Sequence, residues 1–228
     1  LKRAFNLAVQ AEILPSRPHI PSVKIRNTRE GFFEAPELER VLSELPAPEA
    51  AVTRFAALTG WRKGEILPLR WSQVDFEGGV VRLYTSKNDE GREFPFRSLP
   101  PLAALLEEQR EHTRAIERQA GRIIPHVFHR KGRPIRKMDG TWRSACERAG
   151  IPDALFHDLR RTAVRNLEKA GVPRSVAMKL TGHKTEAVYR RYAIADHAAL
   201  SEGVEKLAKL HGAEPEPAKV IPMRQTGQ

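Results

Sequence analysis

The sequence predicts an α+β fold that is mainly α-helical, with one small antiparallel β-meander at about residues 73–97. Two observations carry this prediction. Most of the chain repeats its apolar residues at the spacing of amphipathic helices, with proline or glycine near the ends of the repeats. Over 73–97 the period changes: the short runs VDF, VVRLYT and REFPF alternate with polar turns at 77–79 and 87–91, which is typical of antiparallel strands.

The helical segments follow one another along the main part of the chain. We expect helices at about 35–45, 48–59, 100–120, 138–149 and 196–210. Pro36 suits the first turn of its helix, where a missing N–H group costs little, and Gly60 suits the end of the next helix. These helices, with the meander between the second and the third, make up the predicted domain.

Both ends of the chain differ in composition from the middle. Apolar residues at positions 1, 5, 9 and 13 predict a helix, and the prolines at 15, 18 and 21 then predict an extended connector. We therefore expect 1–26 to be the end of an N-terminal domain plus its linker, and 27–211 to be the main domain. The last segment, 212–228, is rich in proline and polar residues and is expected to be a disordered tail.

The charge balance indicates an anionic partner. Among the 228 residues, 39 Lys and Arg stand against 28 Asp and Glu, so the formal net charge is +11, which suits nucleic acid first and an anionic membrane second. No run of about 18 apolar residues is present, so no membrane span is expected. The one cysteine, Cys146, cannot form an internal disulfide, which favours a cytoplasmic protein, and its simplest role is helix packing.

The stretch from His157 to Tyr192 concentrates this charge. Its pattern predicts helix, turn and helix, and it contains nine Lys and Arg against three acidic residues, an imbalance that a solvated helix face rarely shows. On a helix that begins near His157, Arg160 and Arg161 share its face, close to N–H groups that favour phosphate. Tyr189 and Tyr192 are three residues apart, and helical geometry does not choose between them. We expect a phosphate site with a phenol beside it.

Two other segments carry residues whose role the sequence leaves open. Arg62 and Glu65 are three apart and can pair on a short helical turn. Taken alone, this spacing favours a surface ion pair, although the carboxylate could also hold the guanidinium rigid inside a site. Lys87 lies on the second turn of the meander, where it is either solvated or able to reach a bound duplex.

The segment 122–137 is a second basic stretch, and its glycine and prolines predict a loop. Its charge run could be only a solvated surface. In a chain of this net charge, however, phosphate contacts are the better expectation, and we assign them to Arg130, Lys131 and Arg133.

These residue types favour metal-free chemistry on a phosphodiester. Cleavage of that bond needs neutralised phosphate oxygens, a nucleophile and a proton for the leaving oxygen. Carboxylates are scarce near the basic stretch, His157-Asp158 lacks further ligands at metal-binding spacing, and no GxxxxGK phosphate loop is present. We therefore expect no metal and no nucleotide cofactor. A phenol has an ordinary pKa of about 10, so nearby cations must help it to ionise.

Five motifs in this order, TGWRKGE, TSKN, HDLRR, TGHKT and YRRY, resemble the catalytic domain of the tyrosine recombinase (phage integrase) family over about 27–211. The resemblance implies the fold of that domain, preceded by the close of a core-binding domain at 1–26, and site-specific DNA cleavage through a 3′-phosphotyrosyl link without metal or ATP. It implies these roles: Arg62 and Arg160 clamp the phosphate, Glu65 supports Arg62, Lys87 protonates the 5′-oxygen, His157 assists proton transfer, His183 hydrogen-bonds the phosphate and Tyr192 attacks.

The family interval between the Gly-His pair and the nucleophile selects Tyr192, nine residues after His183, over Tyr189. Arg161 stands where some members carry histidine, and we expect it to contact DNA. The resemblance also implies double-stranded DNA as the substrate, a monomer when free and a tetramer on DNA. The helix at 196–210 would then dock on a neighbouring protomer or pack within its own chain, and its amphipathic pattern fits both.

Two other functions stay open at this point. A type IB topoisomerase-like enzyme would use similar chemistry to relax DNA, and a non-catalytic DNA-binding regulator would use the basic face for affinity alone. Covalent trapping of DNA separates the regulator from both enzymes, and recombinant products separate the enzymes from each other.

Overall fold

The fold is mainly helical, with short antiparallel strands between the helices, as the sequence predicts. The structure is a computed structural model that describes residues 1–21, 31–84, 91–190, 192 and 197–211. Its helices are α1 (Lys2–Gln10), α2 (Ala35–Ser43), α3 (Ala47–Thr59), α4 (Lys63–Ile66), α5 (Pro100–Ala120), α6 (Asp139–Arg148), α7 (Asp158–Lys169), α8 (Arg174–Thr181), α9 (Glu186–Tyr189) and α10 (His197–Leu210).

The predicted meander is a three-stranded antiparallel sheet in the order β1-β2-β3. Its strands are β1 (Val74–Asp75), β2 (Val80–Leu83) and β3 (Arg92–Pro95). The register of β2 and β3 sets Val81 opposite Phe94, both buried in the core, and Leu83 opposite Arg92. Lys87, expected on the turn that joins these strands, lies outside the described residues.

The basic segment that was expected to be a loop contains a second hairpin, so that prediction is wrong. Strands β4 (His129–Arg130) and β5 (Arg133–Pro134) pair antiparallel. Lys131 and Gly132 form the turn, and both have positive φ, 49° and 79°. Two such residues in succession match the twist of a tight hairpin. The strands are only two residues long, which is too short for an alternating pattern to appear in the sequence.

The core is organised around α3, which is buried along most of its surface and exposes Arg54. Phe55 packs edge-to-face against Trp61 and Phe128, with ring centroids 5.6 and 5.5 Å apart. The helix ends at Gly60, whose φ of 68° is the left-handed conformation expected of a glycine at this position. A β-carbon there would lie 3.0 Å from that of Ala163 on α7 and 3.1 Å from a methyl carbon of Thr181 on α8. The end of α3 therefore meets α7 and α8, and the candidate site lies at this junction.

The first helix differs from the prediction by a few residues. Helix α1 ends at Gln10 and not near residue 13, because the chain turns at Glu12, which has a φ of 56°. Pro36 is the second residue of α2, as expected from its missing N–H group. On α10 the side chains of Val204 and Leu207 are exposed, and the division of the chain at about 26 and 211 stays a prediction.

Candidate active site

Arg62 precedes the one-turn helix α4, and Glu65 holds it in two ways. The Arg62 backbone N–H donates to Oε2 of Glu65 at 2.7 Å, and its Nη1 donates to Oε1 at 3.0 Å. The Arg62 side chain is 44% exposed, whereas that of Glu65 is only 19% exposed, so the carboxylate lies deeper than in an ordinary surface pair. Arg62 Nη2 also donates a long bond, 3.4 Å, to the carbonyl of Gly182. Glu65 therefore holds the Arg62 guanidinium in place, and the role of this pair in a phosphate site stays a prediction.

Arg160, on the first turn of α7, is buried among polar groups of the core. Its Nη1 donates to the carbonyl oxygens of Gly60, at 2.6 Å, and Thr181, while its Nε donates to Nε2 of His183 at 3.2 Å. Its Nη2 is buried and has no hydrogen-bond partner among the described residues. Burial, followed by repulsion from Arg62, lowers the pKa of Arg160 to about 10, so the guanidinium remains charged at neutral pH.

His183 is neutral, and its hydrogen bonds select one tautomer. Because Arg160 Nε can only donate, Nε2 of His183 accepts, and the ring proton lies on Nδ1, which is 2.7 Å from Oγ1 of Thr181. The Thr181 hydroxyl in turn donates to the carbonyl of Ala177. Burial, then the charges of Arg160 and Arg62, lower the pKa of His183 to about 3. His183 thus orients the buried guanidinium in this state.

His157 and Tyr192 meet across the mouth of the site. Nε2 of His157, at the start of α7, lies 2.9 Å from the hydroxyl of Tyr192. Burial, then the charges of Arg160 and Arg161, lower the pKa of His157, which favours the neutral ring that can accept a proton. The centroids of the Tyr192 and His183 rings are 4.8 Å apart. The guanidinium carbon of Arg161 lies 5.2 Å from the centroid of the Tyr192 ring. A phenol, a base and fixed cations are therefore adjacent.

Tyr189 occupies a different environment from Tyr192, although the two are three residues apart. It is the last residue of α9 and is completely buried, packed edge-to-face on His183. Burial, then the neighbouring Glu168, raise the pKa of its hydroxyl. Tyr192 lies just beyond the end of the helix and is only partly buried. Both rings thus lie against His183, but the hydroxyl that reaches His157 is that of Tyr192.

The residues expected to bind DNA divide into two groups. Arg161 lies beside the site, where it pairs with Asp158 at 2.8 Å. Arg130, Lys131 and Arg133 lie on the β4–β5 hairpin, and Arg130 pairs with the buried carboxylate of Glu49. No contact described for this hairpin joins it to the residues around Tyr192.

Two residues of the site carry no signal in the sequence that would single them out. Arg92, at the start of β3, donates from Nη2 to Oε2 of Glu65 at 2.6 Å. Thr181 holds the ring of His183, as described above. Arg92 is 27 residues from Glu65, and no spacing rule relates positions on a strand and a distant helix. Thr181 lies within the motif TGHKT, which gives it no separate role.

Two further observations concern metals and membranes. Within the described ranges, no group of three or more His, Cys, Asp and Glu side chains is arranged to hold a metal ion. In the same ranges, no helix combines the length and apolar composition needed to cross a membrane.

Comparison with known proteins gives consistent matches. A family model described as "Phage integrase family" matches residues 32–198. The integrase of Salmonella phage P22 is 29% identical over 215 residues, covering 88% of this chain and 53% of that protein. A tyrosine recombinase XerC-like protein of Caldanaerobacter subterraneus is 27% identical over 228 residues, covering 82% of this chain and 58% of that protein. The chain therefore spans about half the length of these curated relatives.

Solved structures share the fold. XerA recombinase superposes with a TM-score of 0.61 at 19% identity, covering 94% of this chain and 78% of that chain. A lambda integrase dimer bound to a core site gives a TM-score of 0.61 at 18% identity, covering 82% of this chain and 70% of that chain. At these identities the likeness extends to the fold alone, and it agrees with the mainly helical α+β fold described above.

Proposed function

This chain belongs to the phage integrase family of tyrosine recombinases, and on that premise we propose that it is the catalytic part of a site-specific DNA recombinase. It breaks and rejoins DNA strands through a 3′-phosphotyrosyl intermediate. The observation that carries the proposal is the 2.9 Å contact between the Tyr192 hydroxyl and Nε2 of His157, a histidine on which the charges of Arg160 and Arg62 act. The neutral imidazole can take the phenolic proton while the cations stabilise the charge that develops on the phosphate.

The two arginines are proposed to bind the scissile phosphate. Arg160 offers its buried Nη2, which has no partner among the described residues, and Arg62 offers a guanidinium that is partly exposed. The forked N–H groups of a guanidinium match two phosphate oxygens. The attraction between the two charges is stronger where water is excluded. Glu65 orients Arg62, and this supports the role of a positioning group for it.

The cleavage step balances with the residues of this chain. The Tyr192 oxygen attacks phosphorus and gives its proton to His157, the bond from phosphorus to the 5′-oxygen breaks, and Lys87 is proposed to protonate that oxygen. The phosphotyrosine keeps the energy of the original diester, so a 5′-hydroxyl of another strand can reverse the step without ATP. The proposed cleavage step uses neither a metal ion nor a cofactor, and that neither is needed stays a prediction.

His183 is proposed to support the phosphate through Arg160 before it contacts the phosphate itself. In the present hydrogen-bond arrangement its Nε2 accepts from Arg160. A hydrogen bond from Nε2 to a phosphate oxygen requires the ring to release Arg160 and to carry its proton on Nε2. DNA binding is proposed to provide that rearrangement.

The proposed partner is double-stranded DNA, and the proposed site of action is the cytoplasm. The net charge of +11 supports DNA binding, and one related structure is described as a lambda integrase dimer bound to a core site. We propose that this chain is a monomer when free and assembles as a tetramer on DNA. Arg161 and the hairpin residues Arg130, Lys131 and Arg133 are proposed to contact phosphates. The exposed Val204 and Leu207 suit docking of α10 on a neighbouring protomer.

A suicide substrate tests the proposed function. Duplexes of randomised sequence, each with a nick that lets the cleaved fragment diffuse away, are incubated with the full-length protein, and covalent complexes are recovered and sequenced. We expect Tyr192→Phe to abolish covalent complexes, a loss of at least about 10³-fold, because the nucleophile is removed. Tyr189→Phe is the matched control and keeps the rate within about threefold, because its hydroxyl is buried away from His157.

The other outcomes have defined meanings. Covalent complexes in Tyr192→Phe but not in Tyr189→Phe would contradict the assignment of the nucleophile. No covalent complex with the unsubstituted protein would favour the DNA-binding regulator. Relaxation of supercoiled DNA without recombinant products would favour the topoisomerase-like enzyme.

A further inference from the structure

Arg92 begins β3, but its side chain leaves the sheet and enters the site. Its side chain is only 10% exposed. The guanidinium carbon lies 4.9 Å from the centroid of the Trp61 ring, and Nη2 donates to Oε2 of Glu65 at 2.6 Å. A guanidinium that is both stacked and hydrogen-bonded in this way is held in one orientation.

Glu65 stands between two guanidinium groups as a result. Arg62 Nη1 binds Oε1, while the Arg62 backbone N–H and Arg92 Nη2 both bind Oε2. Burial opposes ionisation of this carboxyl, but the hydrogen bond and charge of Arg92, and then the hydrogen bonds of Arg62, lower its pKa below the ordinary value. The carboxylate therefore stays charged, and both of its oxygens are occupied.

Arg92 also touches the segment that leads to His183. A β-carbon at Gly182 would collide with Nη1 of Arg92, so the guanidinium fills the space that the absent side chain leaves. Gly182 has a φ of 70°, and its carbonyl accepts the long bond from Arg62. Trp61, under Arg92, donates its Nε1–H to the carbonyl of Leu180 in the same region. One side chain thus contacts both segments that carry phosphate-binding groups.

We propose that Arg92 is a positioning residue for DNA cleavage: it couples the Arg62–Glu65 pair to the Gly182–His183 turn and sets the distance between the two parts of the phosphate site. This inference rests on the cleavage reaction proposed above. Arg92 acts through Glu65 and through packing at Gly182, and it does not contact the reacting atoms. A displacement of about 1 Å between groups that must engage one phosphate is enough to lower a rate about 100-fold.

Arg82 supplies a matched control from the same sheet. It lies on β2 and pairs with Asp75 at 2.9 Å and Glu93 at 2.8 Å. These contacts stay within the sheet and do not reach Glu65 or Gly182. Both Arg82→Met and Arg92→Met remove an arginine that is paired with carboxylates of this chain. Of the two, Arg92→Met is the change that removes the proposed coupling.

The test measures the single-turnover rate of covalent complex formation on a nicked duplex recovered from the randomised pool, together with the Kd for the same duplex. We expect Arg92→Met to slow cleavage by about 10- to 100-fold with a change in Kd of less than about threefold. Arg92→Lys restores the charge but not the fork, so its rate lies between those of Arg92→Met and the unsubstituted protein. Arg82→Met stays within about twofold. A role in stability alone would not lower the rate of the folded variants at saturating DNA.

A double-mutant cycle with Glu65→Gln tests the coupling itself. Because Arg92 acts partly through Glu65, the loss of rate in the double variant Glu65→Gln/Arg92→Met should be smaller than the product of the two single losses, whereas losses that multiply in full overturn the proposal. A wild-type rate in Arg92→Met also overturns it. If Arg92→Met does not fold, Arg92→Lys decides: a rate at least about threefold below wild type supports the coupling, and a wild-type rate overturns it. No covalent complex with the unsubstituted protein overturns the proposed function, and this inference with it.

Discussion

The two arginines that are proposed to bind the phosphate are held in opposite ways. Arg160 is 2% exposed and donates to two backbone carbonyls and to His183, all of which belong to the packed junction of α3, α7 and α8. The side chain of Arg62 is 44% exposed and depends on the carboxylate of Glu65 and a long bond to Gly182. One guanidinium is thus positioned by the core, and the other by an ion pair near the surface.

This difference shows how rigidity is distributed over the site. Removing Arg160 leaves buried carbonyl groups without a donor, so its role in the site is linked to the stability of the fold. Removing the Arg62 side chain takes one donor from Glu65, which keeps Arg92 and the backbone N–H of residue 62, so the role of Arg62 is easier to separate from stability. Arg62 is therefore the arginine whose position depends on further contacts, and Arg92 is proposed to provide them through Glu65.

In the comparison of the two arginines, the largest expected effect comes from exchanging each of them for methionine. Both Arg160→Met and Arg62→Met should slow covalent complex formation by about 10²–10³-fold, because each removes a donor to the charged phosphate. Only Arg160→Met should also lower the free energy of unfolding, by about 1–3 kcal/mol, because the carbonyls of Gly60 and Thr181 lose their donor. Arg62→Met should change it by less than about 0.5 kcal/mol.

Single-turnover cleavage and urea denaturation measure these two quantities separately. Equal losses of stability in both variants would show that burial does not distinguish the two arginines. A stable Arg160→Met protein would show that the surrounding carbonyls find water or another donor.

A smaller effect on the cleavage rate is expected from pH, through His157. Burial, then Arg160 and Arg161, lower the pKa of His157 below the ordinary value of about 6.5, so the ring is still mainly neutral at about pH 6.5. The cleavage rate should therefore keep more than half of its maximum at about pH 6.5 and fall up to tenfold per unit only below the lowered pKa, where the base becomes protonated.

Rates at saturating DNA across about pH 5–8 check this expectation. His157→Gln is the control: it should be slower at neutral pH and should lose the acidic fall, because no titrating base remains. If the rate of the unsubstituted protein falls to half of its maximum already at a pH above about 6.5, the lowered pKa of His157 is contradicted.

The smallest effect is expected on the β4–β5 hairpin, which no described contact joins to the residues around Tyr192. Lys131→Ala should weaken DNA binding a few-fold and reduce the slope of log K against log salt by about 0.9, because one phosphate contact is lost. Arg130→Ala should also lower stability, because the carboxylate of Glu49, which is only 1% exposed, loses its partner. Salt titrations of both variants measure the slope, and an unchanged slope for Lys131→Ala would remove it from the DNA contacts.

Local patterns in the sequence predicted much of the fold. Pro36 and Gly60 marked the ends of helices correctly, since the missing N–H group and the left-handed φ are properties of single residues. The change of apolar period at 73–97 identified the sheet, since the alternation of side chains along a strand is also a local property. The β4–β5 hairpin was missed because its strands are two residues long, and α1 was predicted too long because apolar spacing does not show where a helix turns away.

The motifs, through their resemblance to a known family, were enough to propose which residues form the site, and the chemistry of a phosphodiester by itself suggested only the types of residue. Tertiary structure decided how those residues are held: that Arg160 is buried and Arg62 is not, that Tyr189 packs inside while Tyr192 meets His157, and that Arg92 joins two segments. Each of these depends on which distant side chains pack together. Such packing is set by the whole core, and no spacing along a single stretch of chain encodes it.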